Sequence, residues 1–234
     1  MTMAAWLRSI PSLTGTAPGP DADPLPTEPE ELFARWIRQA VDAGVPEAHG
    51  ATLATVDADG IPDARTLILK DLTPDGWAFA GPRTSAKAAQ LGAQAAAALN
   101  FWWPAVLRAV RVRGRVVEAP AEESAADLAA RSPAARDGIA PGEWVLWRLV
   151  ADRVEFWQGS PDRKHLRTIY RREGPHWRRS GAQDDERTGE RAITRSPRSA
   201  GWTIGAATSA GSPPPVHETG AASSTRSSRC STSA

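Results

Sequence analysis

Residues 157–167 bring together side chains that can hold a flat, negatively charged ligand. Arg163 and Arg167 can each form paired hydrogen bonds with phosphate or carboxylate oxygens. Trp157 offers a planar surface for a ring system, and His165 can donate a hydrogen bond or a proton. The intervening Gly-Ser-Pro-Asp sequence is typical of a turn. The segment therefore predicts an anion site beside an aromatic ring, and the alternative is a solvated basic turn at a strand end.

A second pair of cations, Arg65 and Lys70, brackets an apolar strand in the segment 52–70. Two aliphatic and β-branched runs in this segment are joined by Asp59-Gly60, a strong hairpin signal. Because side chains alternate along a strand, the odd spacing places the two cations on opposite faces. We expect either that one cation is exposed or that both reach a site at the edge of the sheet. Two solvated strand-end cations are the alternative.

Several short motifs, taken in order, resemble the pyridoxamine 5′-phosphate oxidase family, which are flavin-dependent enzymes built on a split β-barrel. The resemblance extends from Leu7 to Trp177. The motifs that carry it are Arg65-Thr-Leu-Ile-Leu-Lys70, Ser85-Ala-Lys87, Val110-Arg-Val-Arg-Gly114, and Glu155-Phe-Trp-Gln-Gly159 followed by Arg163, His165 and Arg167. A series of motifs in the right order over most of a chain is far more specific than any one of them.

The hydrophobic pattern and the resemblance predict a mainly β fold with helices, a small antiparallel split β-barrel flanked by helices. Strands are predicted at 52–57, 64–70, 77–80, 96–102 and 107–118, and a strand or hairpin at 145–157 closes the barrel. Helices are predicted from the capping box Thr27–Glu30 to Gly44, over 85–93 and over 122–131.

Three regions follow along the chain: an irregular arm at 1–26, an FMN-binding split-barrel domain at 27–177, and a low-complexity tail at 178–234. The tail is dominated by Arg, Ser, Thr, Gly, Ala and Pro. Such a composition cannot bury enough apolar surface to offset the entropy of ordering. The resembled family usually ends soon after the position of Trp177, with a short strand that closes on Arg-Leu-X-Pro, and this sequence has no such ending. We expect it to be a disordered extension or the product of a shifted reading frame.

The resemblance also implies a role for individual residues, with FMN as the cofactor. Arg65 and Lys87 would bind the FMN phosphate, and the strand 65–70 would lie along the cofactor. Trp157 and Arg167 would approach it from the partner subunit of a homodimer. The residues implied in FMN binding are Arg65, Thr66, Lys70, Ser85, Lys87, Trp157 and Arg167. Those implied in binding a phosphorylated pyridine substrate are Lys70, Arg131, Arg163 and His165, of which Arg163 and His165 would be catalytic. For Arg131, a cation at a helix C-terminus is the alternative.

The sequence departs from the family pattern at several positions near the implied site. Ala86 stands where an arginine is common, Ala109 where a glutamine is common, and Ala80-Gly81 where a Tyr-Thr-like pair is common. Each change removes a side-chain hydrogen bond, typically worth about 0.5–1.5 kcal/mol. The segment between Pro133 and Trp144 is also shorter than the helical insertion usual in the family.

The leading functional hypothesis is an FMN-dependent oxidase that converts pyridoxamine or pyridoxine 5′-phosphate to pyridoxal 5′-phosphate. Dioxygen would accept the electrons and leave as hydrogen peroxide. One alternative is an FMN-dependent oxidase of another substrate, as in phenazine biosynthesis. The other is a flavin-binding member without turnover, or a degenerate gene product.

Composition limits the partners and the cellular location that we expect for this chain. The formal net charge of +1 gives no reason to expect a nucleic-acid or membrane partner. The lone Cys230 excludes an internal disulfide and suits a reducing compartment. No apolar run reaches the roughly 18 residues of a membrane span, and no signal-peptide pattern begins the chain. A cytoplasmic location is therefore expected.

Overall fold

A computed structural model describes residues 1–19 and 24–181, so the predicted tail from residue 182 onward lies outside the described residues. The helices are α1 (Met3–Ser9), α2 (Pro29–Asp42), α3 (Ala86–Ala93), α4 (Ala121–Ala129) and α5 (Pro133–Arg136). The strands are β1 (Gly50–Val56), β2 (Pro62–Ile68), β3 (Asp71–Thr73), β4 (Gly76–Pro82), β5 (Ala96–Trp103), β6 (Arg108–Glu118), β7 (Trp144–Gln158), β8 (Leu166–Glu173) and β9 (His176–Gly181).

The strands form one antiparallel sheet in the order β2-β1-β5-β6-β7-β4-β3, and β8 and β9 branch from β7. The long strand β7 makes this branching possible. Its first half, Trp144–Leu149, pairs with β4, and its second half, 153–158, pairs with β8. One strand thus belongs to two surfaces that diverge, which is the expected split-barrel arrangement.

Strands β1 and β2 form the hairpin that the Asp59-Gly60 signal predicts. The carboxylate of Asp57 accepts hydrogen bonds from the backbone N–H of Asp59 at 3.0 Å and of Ile61 at 2.8 Å. Gly60 adopts a φ of +83°, which glycine reaches without a Cβ clash. This turn fixes the register of β2, which forms one outer edge of the sheet.

Helix α2 closes one side of the barrel with an aromatic face. Pro29 lies in its first turn, where a missing N–H has no cost, and Glu30 and Glu31 complement the positive end of the helix. The ring of Phe33 meets that of Phe101 edge-on, with centroids 4.8 Å apart. The other large side chains of this core include Leu32, Trp36, Trp77, Phe79, Leu99, Trp103 and Phe156.

Two boundaries differ from those predicted. The arm at 1–26 contains α1, a seven-residue helix whose N-terminus is capped by the hydroxyl of Thr2, so the arm is not wholly irregular. At the other end, β9 continues to Gly181, four residues beyond the predicted domain limit at Trp177, because its backbone pairs with β8. In the described part of the chain, no helix is long and apolar enough to cross a membrane.

Candidate functional site

Arg65 lies on the edge strand β2, and its guanidinium faces α3. It forms an ion pair with Asp63 at 2.6 Å and donates a hydrogen bond to the side-chain oxygen of Gln90 at 2.7 Å. A further hydrogen bond reaches the buried hydroxyl of Thr55. These contacts hold the guanidinium in a fixed orientation beside Gln90 of α3.

Lys87 is the second cation of this region. Its ammonium donates a hydrogen bond to the Ser85 hydroxyl at 3.2 Å, and that hydroxyl donates to the carbonyl of Pro82 at 2.6 Å. Burial, reinforced by repulsion from Arg65, lowers the pKa of Lys87. Among the described residues, no carboxylate forms an ion pair with Lys87. We refer to Arg65, Ser85 and Lys87 as the β2–α3 cluster.

The Ala80-Gly81 departure has a structural counterpart in this cluster. A Cβ atom added to Gly81 would lie 2.0 Å from the Lys87 ammonium nitrogen. The space that a larger residue would fill on β4 is therefore occupied by the end of the Lys87 side chain. The ammonium also lies 5.8 Å from the ring centroid of Trp147.

Lys70 follows the end of β2 and points toward α4. Its ammonium is 3.4 Å from a carboxylate oxygen of Asp127, and only 17% and 15% of the two side chains are exposed. The other oxygen of Asp127 accepts a hydrogen bond from the Trp144 indole N–H at 2.8 Å. The Arg131 guanidinium lies 4.4 Å from the Trp144 ring centroid. We refer to Lys70, Asp127, Arg131 and Trp144 as the α4 cluster.

Neither cation of the Arg65 and Lys70 pair is exposed, so the alternative in which one of them faces solvent does not hold. The reason is that β2 ends at Ile68, and side-chain alternation does not extend to Lys70. Arg131 follows the C-terminal end of α4 and also donates a hydrogen bond to the carbonyl of Ala135 at 3.2 Å. It is therefore both a helix-end cation and a member of the α4 cluster.

A cavity of about 600 Å³ borders Trp144 between α4 and the segment 133–144. Leu128 and Ala129 line it from the helix, and Arg136 and Gly142 line it from the segment. The short segment thus forms the wall of an open space beside the α4 cluster.

The segment 157–167 forms the end of β7, a turn and the start of β8. Trp157 and Arg167 are directly opposite each other on the two strands. The His165 ring lies 4.9 Å from the Trp157 ring, and its Nδ1 accepts a hydrogen bond from the Ser160 backbone N–H at 3.0 Å. This contact leaves Nε2 as the nitrogen that carries the proton of the neutral ring. Arg163 adopts a left-handed φ of +66°.

Both Arg163 and His165 are exposed in the single chain, and so is much of the Arg167 side chain. Thr66 is also exposed, on the edge strand β2. In the described part of the chain, no hydrogen bond or ion pair joins the segment 157–167 to the β2–α3 cluster or to the α4 cluster. One chain therefore carries three separate groups of candidate site residues.

Glu155 is a buried carboxylate that the sequence did not single out as a site residue, and only 7% of its side chain is exposed. It accepts hydrogen bonds from Arg111 at 2.8 Å and Arg153 at 2.7 Å, and it lies 3.5 Å from Arg167. Burial alone would raise the pKa of Glu155. The hydrogen bond from Arg111 and the surrounding positive charges outweigh burial, so the pKa of Glu155 lies below its usual range. Glu155 thereby restrains Arg167 on the face that carries Trp157.

Comparison of the sequence with protein families gives two matches. The family described as pyridoxamine 5′-phosphate oxidase matches residues 37–158, and the pyridoxine 5′-phosphate oxidase C-terminal dimerisation region matches residues 144–181. The chain is 37% identical over 186 residues to a pyridoxine/pyridoxamine 5′-phosphate oxidase of Pseudomonas fluorescens, covering 65% of this chain and 86% of the relative. A protein of the same name from Thermosynechococcus vestitus is 35% identical over 183 residues, covering 65% of this chain and 87% of the relative.

Comparison with solved structures gives the same fold. PhzG from Burkholderia lata 383, in complex with tetrahydrophenazine-1-carboxylic acid, aligns with a TM-score of 0.65 and 26% identity, covering 72% of this chain and 98% of that one. A pyridoxamine 5′-phosphate oxidase-related, FMN-binding protein from Nostoc punctiforme aligns with a TM-score of 0.55 and 21% identity, covering 67% of this chain and 98% of that one. The predicted split barrel is therefore confirmed.

Proposed function

The chain belongs to the pyridoxamine 5′-phosphate oxidase family of oxidoreductases, and from that premise we propose that it binds FMN and oxidises pyridoxamine or pyridoxine 5′-phosphate. The product would be pyridoxal 5′-phosphate, with dioxygen reduced to hydrogen peroxide; from pyridoxamine 5′-phosphate, water would also be consumed and ammonia released. The observation that carries the proposal is the β2–α3 cluster, where two cations lie together at the start of a helix.

The residues of the β2–α3 cluster suit the phosphate of FMN. Lys87 is partly buried and repelled by Arg65, so a phosphate dianion between them would relieve an unfavourable arrangement. The N-terminus of α3 adds its positive partial charge and its unpaired backbone N–H groups to the same place. The Ser85 hydroxyl donates to the Pro82 carbonyl in the free chain, and it would turn to donate to the phosphate instead.

FMN, when bound, supplies the electron-accepting ring, and the chain supplies position and charge. The exposed edge of β2, including Thr66, offers an open strand along which the cofactor would lie. Trp157 would cover the ring, and Arg167, restrained by Glu155, would place a positive charge near it. Positive charge favours the reduced, anionic ring through simple Coulomb attraction.

The substrate would be held by Lys70 and Arg131 of the α4 cluster and by Arg163 and His165 of the segment 157–167. His165 presents its Nε2 proton because the Ser160 N–H fixes its Nδ1. A donor in that orientation can bind the oxygen or nitrogen on the reacting carbon of the substrate and orient it. Arg163 would add charge and a planar surface over the same carbon.

We propose that two copies of the chain complete each site. The matched dimerisation region contains the whole segment 157–167. Within the described residues of its own chain, this segment makes no hydrogen bond or ion pair with the two other groups. Apolar surface lies exposed beside it, since 48% of Trp102 is accessible and its ring is 6.0 Å from that of Trp157. Exposed aromatic surface of this kind marks interfaces.

A second candidate is an FMN-dependent oxidase of a carboxylated ring compound, and the Lys70–Asp127 ion pair favours it. The structural similarity to PhzG, which is bound to a carboxylic acid in that structure, points the same way. A flavin-binding member without turnover is the remaining alternative, supported by the missing side chains at Ala86 and Ala109.

The test of the proposed function is oxidation of pyridoxamine 5′-phosphate by purified, FMN-supplemented protein. We expect FMN to bind, and hydrogen peroxide and pyridoxal 5′-phosphate to appear in equal amounts. Bound FMN without turnover of either phosphate substrate would remove the first candidate and leave the other two. Failure to bind FMN would remove all three.

A further inference from the structure

The α4 cluster holds a carboxylate in the place where the substrate's anionic group would bind. Asp127 lies 3.4 Å from the Lys70 ammonium, and only 15% of its side chain is exposed. The indole N–H of Trp144 holds its second oxygen at 2.8 Å. The carboxylate is therefore fixed from both sides and is poorly placed to swing into water.

The formal charge of this cluster is low for a phosphate site. Lys70 and Arg131 contribute two positive charges and Asp127 removes one, so the cluster has a net charge of +1. Asp127 lies in the last turn of α4, where the helix itself contributes negative partial charge. A doubly charged phosphate would thus meet a single net positive charge and a nearby carboxylate that repels it.

We propose that Asp127 sets the charge selectivity of the substrate site, favouring a ring compound with a singly charged or neutral group over one with a doubly charged phosphate. This inference rests on the part of the proposed function that makes the α4 cluster the substrate site, and it favours the second candidate, the oxidase of a carboxylated ring compound, over the first. Lys70 and Arg131 together carry enough positive charge to bind one carboxylate beside Asp127.

The test compares the binding of pyridoxal 5′-phosphate with that of pyridoxal, which lacks the phosphate, by calorimetric titration. In the unmodified protein we expect the phosphate to improve the dissociation constant by less than about tenfold, because Asp127 offsets one of the two cations. In Asp127→Asn, which keeps a side-chain oxygen to accept the Trp144 N–H, we expect pyridoxal 5′-phosphate to bind about tenfold tighter or more. Binding of pyridoxal should not change.

Glu122→Gln is the matched control, since it removes the same charge from an exposed position on the same helix. It should leave both dissociation constants unchanged. Should Asp127→Asn fold poorly by thermal melting, the comparison of the two ligands on the unmodified protein still decides. A phosphate advantage well above about tenfold there, or an unchanged or weaker affinity for pyridoxal 5′-phosphate in a folded Asp127→Asn, overturns the proposal.

The FMN content, measured by absorption on the same samples, separates this inference from the proposed function. Loss of FMN would count against the oxidase, whereas the ratio of the two ligand affinities reports on Asp127 alone.

Discussion

The β2–α3 cluster and the α4 cluster each contain two cations and one neighbouring carboxylate, yet they differ in how that carboxylate is held. Asp63, beside Arg65, is half exposed on an edge strand, where it can turn toward water. Asp127, beside Lys70, is mostly buried and bound to Trp144. The comparison teaches that burial and hydrogen bonding of the carboxylate, more than the count of charges, decide how much positive potential a ligand meets.

The two clusters also lie at opposite ends of helices. Lys87 is in the first turn of α3, whose partial charge is positive, whereas Asp127 and Arg131 lie at the end of α4, whose partial charge is negative. Both differences favour a dianion at the β2–α3 cluster and disfavour it at the α4 cluster. We therefore expect the cofactor's phosphate to contribute much to binding and the substrate's phosphate to contribute little.

The largest expected effect is on turnover, from a double substitution outside both clusters. His165→Asn with Arg163→Ala should lower turnover on the order of a hundredfold while FMN stays bound, because these side chains orient the substrate. The measurement is single-turnover reduction of the flavin by a substrate that the unmodified protein oxidises. Lys164→Ala, an exposed cation in the same turn, is the control and should behave as the unmodified protein. An equal rate in the double variant would show that the segment does not bind substrate.

The next largest effect is on the cofactor. Arg65→Ala should weaken FMN binding by about tenfold to a hundredfold, because a charge-assisted hydrogen bond contributes about 1.5–3 kcal/mol. Fluorescence titration with FMN measures it, and riboflavin, which has no phosphate, should lose little affinity. Arg113→Ala removes an exposed arginine from β6 as a control. Equal losses for FMN and riboflavin would place Arg65 near the ring or in the fold instead.

A smaller, pH-dependent effect is expected from Lys87. Burial, with repulsion from Arg65, lowers the pKa of Lys87 in the free protein, and a bound phosphate dianion would raise it. FMN should therefore bind most tightly at pH values below the lowered pKa of Lys87 in the free protein. Its affinity should fall by a few-fold as the pH rises through that pKa, and the fall should begin below the ordinary lysine pKa of about 10.4. Riboflavin titrated in parallel corrects for ionisation of the flavin ring.

Lys87→Arg should remove this dependence, since a guanidinium keeps its charge throughout that range. If FMN affinity falls with rising alkaline pH in the same way in both proteins, Lys87 does not bind the phosphate.

The fold followed from the sequence because the strands of the barrel are apolar and regularly spaced, and the family resemblance named the architecture. The three-residue strand β3 and the largely polar strands β8 and β9 were missed, since their residues have no strong strand pattern. The helix α1 was missed because the arm around it is rich in Pro and Gly. The cytoplasmic location stays a prediction from composition.

The sequence predicted the cations of the site. It did not predict the carboxylates that form ion pairs with them. Asp127 pairs with Lys70, which lies far from it in the sequence, so no local spacing marks that contact. Asp63 precedes Arg65 by two residues. Because side chains alternate along a strand, the two lie on the same face of β2, so their pairing had a local signal. Contacts across strands, such as Arg111 with Glu155, depend on the register of the sheet and leave no local signal. The roles of the site residues stay predictions.

The most direct test of the account compares FMN with riboflavin on the unmodified protein by equilibrium titration. The β2–α3 cluster should make FMN bind at least about a hundredfold tighter than riboflavin, because two or more charge-assisted hydrogen bonds reach its phosphate. The protein should also turn yellow, with one FMN bound per chain. A colourless protein that takes up no FMN, or one that binds the two flavins equally, would contradict the assignment of this cluster to a phosphate.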